Sequence, residues 1–394
     1  MLLSLDAVFV VQGPYGAHLS MLDSVLEKLT RPEDRAPALE ARARVLLSRG
    51  KPQEAMVDLN ALLANPLDEG AEGRALAYLA SVKKQTGSLQ VAKTLYDKAL
   101  PLLERAGDTR MQGRVIANLG AIAQEEGSPQ AASLYAAALE LHRAAGDRRF
   151  EGVTLTNLSV LQQAGGDWSA AEDSGTRAIA VHKEVGNRRS EGIAVTNLAD
   201  LERDRGTNDL AVVLYRRAVK IHREVGNRRF EGICLLNHAL LMLESAELQQ
   251  GGELLEEAQM LFRLVGDKRH SALALGARGA LRAHRGERDA HRDFDTAREL
   301  LIATDLGFIS ALDVYRAQLQ FEEADRLEGQ SQPGDASAWR EAAAARIDAA
   351  VAPGPLGSLA ERFEHVRMAL RVLKAWLAGV QANAATGRDL PRVR

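Results

Sequence analysis

The sequence predicts an all-α chain: an α-α superhelix, or solenoid, of about seven helical hairpins with a helical C-terminal cap. Three observations predict it. A glycine recurs at Gly73, Gly113, Gly152, Gly192 and Gly232, in steps of 40, 39, 40 and 40 residues. Its surroundings recur too: Glu151-Gly152 and Asn157-Leu158 return as Glu191-Gly192 and Asn197-Leu198, then as Glu231-Gly232 and Asn237-His238. Two further sets of glycines punctuate each unit, Gly87, Gly127, Gly166 and Gly206 in mid-repeat and Gly107, Gly146, Gly186, Gly226 and Gly266 at its end. A period of roughly 20–50 residues marks a repeat array, whose units bury their apolar faces only against one another.

Residues 1–34 read as a lead-in and capping helix, with a helical pattern over His18–Leu29. Residues 35–304 read as the array. It opens with a degenerate unit, Ala36 to Gly50 and Pro52 to Asn65. In the clear units, apolar residues stand 3, 6 and 9 positions after the repeat glycine: Leu76, Leu79, Val82; Ile116, Leu119, Ile122; Leu155, Leu158, Leu161; Val195, Leu198, Leu201. That spacing is one face of a helix, and the mid-repeat glycine suits the left-handed residue that ends it. The second segment places small residues at close-packing points, Ala171 and Ala178 in one unit and Ala211 and Ala218 in the next. The Asp or Asn after each end glycine can close the turn or cap the next helix. The unit near Ser271 has drifted: Ala272 and Ala277 replace its glycine and asparagine, and Arg278 replaces a core leucine. Residues 305–394 read as a cap and tail. Helical patterns run near Phe308–Leu327, Ala338–Val351 and Leu359–Gln381, with a frayed tail from Ala384.

The stretch Asn157-Leu158, Gly166-Asp167-Trp168, Ala171 and Ala178 resembles tetratricopeptide repeats. Its period of 40 is similar to the long-helix variant of kinesin light chains and Pins-type adaptors, and to arrays attached to bacterial signalling ATPases. The opening Leu5-Asp6-Ala7-Val8, with Gly13-Pro14-Tyr15 and His18-Leu19, looks like the lead-in to such an array. The resemblance covers roughly residues 35–304. It implies a right-handed superhelix, with the first helix of each hairpin on the concave side.

Composition narrows the function. Lys and Arg number 50 against 53 Asp and Glu, so a net charge of -3 gives no bias toward nucleic acid or an anionic membrane. The single cysteine, Cys234, can form no internal disulfide, which fits a reducing compartment. The N-terminus lacks a basic region before its apolar run, and Asp6 interrupts that run. No stretch reaches the ~20 apolar residues of a membrane helix. The expected location is the cytoplasm. The sequence contains no phosphate-cradling Gly-Lys-Ser/Thr loop, no His-Glu-x-x-His, no cysteine pairs and no nucleophile elbow. No cofactor, metal or catalytic residue is expected. An enzyme would need a site in residues 305–394, where the only cluster is Glu361, Arg362, Glu364 and His365.

The candidate binding residues follow the repeat. Asn118, Asn157, Asn197 and Asn237 lie five residues after the repeat glycine, beside the core stripe, where a helix interior gives asparagine no advantage. A ladder of amides can bind a peptide backbone without choosing its side chains. Resemblance implies the same, since similar asparagines touch bound peptide in kinesin light chains and in chaperone-tail clamps. The lysine of those clamps is missing: Ala117, Thr156, Thr196 and Leu236 precede the asparagines. Val160 and Asp200, three residues on, give a mixed, mildly apolar surface. The alternative is that each asparagine bonds to the neighbouring hairpin and sets its spacing. A second candidate is a basic edge formed by Arg149, Arg189, Arg229 and Arg269, each the second of a basic doublet after a turn. It would suit an acidic segment or a nucleic-acid backbone, though nothing beside it stacks bases, unless the doublets are neutralised by Glu151, Glu191 and Glu231 or by carboxylates next door. A histidine ladder, His142, His182 and His222, would have ~10 Å steps, too long for one metal ion, and reads as packing. The expected function is non-catalytic binding of a protein or peptide segment in bacterial signalling or regulation. The alternative is the sensor or effector-binding arm of a signalling ATPase or transcriptional regulator.

Overall fold

A computed structural model describes residues 15–287, 289–302, 306–329, 333–352 and 366–376. The lead-in up to Pro14, the cluster Glu361, Arg362, Glu364 and His365, and the tail from Ala384 lie outside those residues. All regular structure among the described residues is α-helical. The chain divides into two compact units, Met1–Asn197 and Leu198–Arg394.

The first unit begins with α1 (Tyr15–Lys28) and continues as four hairpins. These are α2 (Pro32–Ser48) with α3 (Pro52–Ala64), α4 (Glu69–Gln85) with α5 (Leu89–Arg105), α6 (Thr109–Glu125) with α7 (Ala131–Ala144), and α8 (Arg148–Ala164) with α9 (Trp168–Glu184). Helix α10 (Arg188–Arg205) runs through the boundary. In the second unit the end of α10 meets α11 (Asn208–Glu224) through the Tyr215 hydroxyl on Asp200, α12 (Arg228–Glu244) pairs with α13 (Leu248–Val265), and α14 (Lys268–His284) with the short α15 (Ala290–Glu299). A long hairpin follows, α16 (Leu306–Gly329) and α17 (Pro333–Val351), with α16 packed on α14. The last described helix is α18 (residues 366–376).

Local chemistry sets the helix ends. Asp108, Asp147 and Asp267 each accept a hydrogen bond from the backbone N–H three residues on, at 3.0, 3.4 and 3.2 Å, as N-caps do. The turn glycines from Gly87 to Gly226 hold φ between +62° and +86°, the left-handed region where only glycine avoids a Cβ clash. Ala246 stands at the mid-repeat turn position and is forced to φ +62°.

Packing within a hairpin depends on the smallest residues. Ala92, Ala99, Ala131, Ala138, Ala171, Ala178, Ala211 and Ala218 are buried. The repeat glycine has a role that periodicity alone does not reveal: it is the floor of a slot for a large side chain from the partner helix. A Cβ at Gly113 or Gly152 would lie 2.8 Å from the ring of His142 or His182. The same slot holds Leu103 over Gly73 and Phe262 over Gly232. In the drifted unit, Arg278 is tied by two hydrogen bonds to the buried carboxylate of Asp293 on α15, at 2.9 and 2.7 Å. A charge thus occupies a core position because it brings its counter-charge with it.

Burial pushes the imidazole of His182 down to about 4, with Arg149 acting in the same direction and Glu191 opposing it. The folded chain therefore holds this ring neutral, while the unfolded chain protonates it near its ordinary value. Its contribution to stability is intact above pH ~6.5 and is lost as pH falls toward about 4. His182→Phe, which copies the residue at Phe262, should lose up to ~3 kcal/mol less than the parent over that window, read by urea unfolding at each pH. Equal acid loss in both proteins would refute the assignment. Ala246→Gly relieves a left-handed residue, worth ~1–2 kcal/mol, against ~0.5–1 kcal/mol of added chain entropy. The urea midpoint should rise, and a lower midpoint would contradict the strain at this turn.

Candidate functional site

The predicted asparagines lie on the first helices of their hairpins, but they are not equivalent. In the first unit, Asn118 on α6 is half-buried and fully engaged. Its Nδ2 donates to the Arg114 carbonyl at 3.0 Å, and its Oδ1 accepts from Lys84 Nζ on α4 at 2.8 Å. Burial pushes the Lys84 ammonium down despite the nearby Glu125 carboxylate, so the amide oxygen serves as its partner inside the stack. Asn157 on α8 and Asn197 on α10 are also half-buried, yet neither amide makes a hydrogen bond among the described residues. Val160, one turn beyond Asn157, is half-buried beside it. The threonines that precede these two asparagines turn inward. Thr156 and Thr196 donate to the carbonyls of Gly152 and Gly192 at 2.9 and 3.0 Å.

In the second unit, the expectation that Asn237 and Asp200 line an open surface needs correction. Asn237 is 7% exposed and Asp200 is 9% exposed. Asp200 Oδ1 accepts from Asn237 Nδ2 at 3.0 Å and from the Tyr215 hydroxyl at 2.5 Å, which ties α12 and α11 to α10. Beside them lies Arg203, among the largest fully buried side chains, with Nη1 at 3.4 Å from the Tyr215 oxygen. Sequence reasoning missed Arg203. Its signal is the i, i+3 pair with Asp200, because a buried cation needs a carboxylate one turn away. The Cys234 thiol is buried and donates to the Tyr215 carbonyl at 3.4 Å.

The basic doublets divide their labour. The first members of three doublets reach the glutamate three residues on: Arg148 to Glu151 at 2.5 Å, Arg188 to Glu191 at 2.7 Å, and Arg228 to Glu231 at 3.0 Å. Those glutamates are buried, so the pairs are part of the hairpin junction. Of the second members, Arg149 is half-buried with its guanidinium 5.8 Å from the Phe150 ring centre, and Arg189 is exposed. Arg229 and Arg269 are exposed in the second unit. Arg229 Nε donates to Asp267 at 2.7 Å. Burial alone would raise the Asp267 carboxyl, but hydrogen bonds from His270 and Arg229 hold it well below the usual carboxylate range.

The arrangement offers hydrogen bonds and apolar contact. Among the described residues no group of three or more His, Cys, Asp or Glu is placed to hold a metal ion. No described helix is long and apolar enough to cross a membrane.

No profile of a known protein family matches this chain, and no curated protein matches it at a significant level. Solved structures do. One is a Signal Transduction ATPase with Numerous Domains from Pyrococcus horikoshii that carries a tetratricopeptide repeat sensor. It is 17% identical with a TM-score of 0.57, over 75% of this chain and 46% of that one. The chain thus spans just under half the length of that protein. A second is the apo form of the quorum sensor NprR from B. thuringiensis, 12% identical with a TM-score of 0.59, over 88% of this chain and 97% of that one. A third is a Rap protein complexed with Competence and Sporulation Factor, 12% identical with a TM-score of 0.55, over 88% and 96%. At these identities the likeness is one of fold: the chain is an all-α helical-hairpin array of the tetratricopeptide type.

Proposed function

We propose that the chain is a non-catalytic interaction module that binds a peptide or protein segment along the first helices of its hairpins. The observation that carries this reading is the pair Asn157 and Asn197. Both amides are half-buried and unengaged by the fold among the described residues, while Asn118 and Asn237 at the same repeat position are tied into it. An amide without an internal partner is suited to exchange water for a peptide backbone. Val160 supplies apolar contact beside it. The fold neighbours are consistent with such use, one being a quorum sensor and another a complex with Competence and Sporulation Factor. We place the module in the cytoplasm, in bacterial signalling, with residues 35–304 as the binding array and 305–394 as cap and tail. Neither a nucleic acid nor a membrane is favoured as partner at a net charge of -3. A second reading is the sensor arm of a signalling ATPase or regulator. The likeness to the repeat-bearing ATPase, of which the chain spans 46%, favours it specifically.

Asn157→Ala with Asn197→Ala tests the site. Each amide lost from a peptide backbone costs about 0.5–1.5 kcal/mol, so partner affinity should fall roughly five- to a hundredfold. Melting temperature should stay close to that of the parent, because both amides return to water without ligand. A large stability loss with unchanged affinity in the folded fraction would make the asparagines structural. The partner for the titration comes from affinity purification with mass spectrometry.

The arginines make a separate forecast. Arg189→Gln with Arg229→Gln should alter partner affinity by no more than a few tenths of a kcal/mol, as exposed charges do. A tenfold loss that disappears at high salt would instead identify an acidic partner bound along this edge. Arg228→Gln should act on stability, because it removes a partner of the buried Glu231 carboxylate. Chemical denaturation separates the two effects.

A further inference from the structure

Helix α18 (residues 366–376) sits on a surface of the second unit made from the C-terminal ends of α10, α12 and α14, the first helices of three successive hairpins. Arg371 Nη1 binds Asp204 Oδ1 at 2.5 Å, and Nη2 donates to the Arg203 carbonyl at 3.1 Å. Arg371 Nε lies 3.4 Å from Glu244 Oε2. Trp376 Nε1 donates to the Leu243 carbonyl at 3.0 Å, and its ring stacks on His284 at 4.9 Å. Met368, Leu370, Val372 and Leu373 are buried around these contacts.

The surface is electronegative for two reasons. Helix C-termini carry a partial negative charge, and the Arg203 and Leu243 carbonyls, which accept from the Gly206 and Ala246 N–H groups at 3.0 and 3.2 Å, each keep a second lone pair. Two carboxylates, Asp204 and Glu244, stand at those ends, each with its side chain only 11% exposed. Burial pushes the Glu244 carboxyl up, against the pull of Arg203 and Arg371. The Arg371 guanidinium reaches both acids and one carbonyl, beside the buried Arg203 whose Nη2 lies 3.4 Å from Asp204 Oδ1, and an indole N–H reaches a second carbonyl. The hydrogen bonds of Arg371 and Trp376 join residues 133 to 168 positions apart and run to the first helices of the array.

We propose that this surface is a segment-binding site and that α18 is its tethered, displaceable occupant. The external partner it fits is a helical segment carrying an arginine and, five residues on, a tryptophan. The proposal rests on the segment-binding reading above and adds the chemistry of the segment. Because α18 belongs to the same chain, its docking is intramolecular and a free segment competes with it at a disadvantage. A segment that matches both anchors opens it.

The test uses the full chain and a fluorescein-labelled peptide of residues 364–378. The peptide should bind Arg371→Glu chain at least tenfold tighter than the parent chain, because the charge reversal expels α18 from Asp204 and Glu244. The same peptide with its own arginine changed to glutamate should not bind. Equal binding to both chains, with the variant still helical by circular dichroism, would overturn the proposal. Hydrogen exchange on the parent chain covers the case in which the variant fails to fold. Amides of residues 366–376 should exchange at least tenfold faster than those of α12, by undocking from an intact array. Exchange together with α12 would make α18 a fixed part of the core and overturn its displacement. The peptide shares no residue with Asn157 or Asn197, so failure of the asparagine test leaves this one standing, and the reverse also holds.

Discussion

Each hairpin depends on a contact between a bare stretch of backbone and a bulky side chain. The repeat glycine near the start of the first helix faces the last turn of the second, and His142, His182, Phe262 or Leu103 fills the space that a Cβ would occupy. The contact brings two helix backbones close and buries a large ring or branched chain at the junction. Interiors are packed too densely to admit an extra methyl group at such a point. The alternating alanines on the second helices then let the remaining turns follow at the same distance. Glycine would weaken a free helix. Here the tertiary contact it permits outweighs that local cost.

Polar groups around this junction are mostly structural. Arg148, Arg188 and Arg228 each bind a buried glutamate, the aspartates cap helix starts, and Asn118 and Asn237 link neighbouring first helices. Against that background Asn157 and Asn197 stand out, because the fold asks nothing of their amides among the described residues. The surface under α18 shows the complementary case. Its carboxylates and carbonyls are answered by a segment far away in sequence, so the second unit displays how the ends of its first helices recognise a helix.

Much of the fold was legible from periodicity. The glycine steps, the apolar stripe and the turn glycines placed the hairpins, and the left-handed φ at the turns has the cause assigned to it. The drifted unit near Ser271 was legible as a break in pattern. Its remedy, the pairing of Arg278 with Asp293 across fifteen residues, was not. The candidate site was only half legible. Residue type and spacing made the four asparagines look alike, whereas Lys84 beside Asn118 and Asp200 beside Asn237 made two of them internal.

The sequence by itself determined the all-α class, the number and order of the repeating hairpins and the positions of their turns. These follow from short-range rules: helical spacing of apolar residues, capping side chains and the backbone freedom of glycine. Only the tertiary structure decided which polar side chains are spent inside the stack and which remain available. The reason is geometric. A hydrogen bond between Asp200 and Asn237, or between Arg371 and Asp204, joins residues 37 and 167 positions apart. No local pattern encodes such a meeting, because it exists only once neighbouring hairpins and the C-terminal helix have packed.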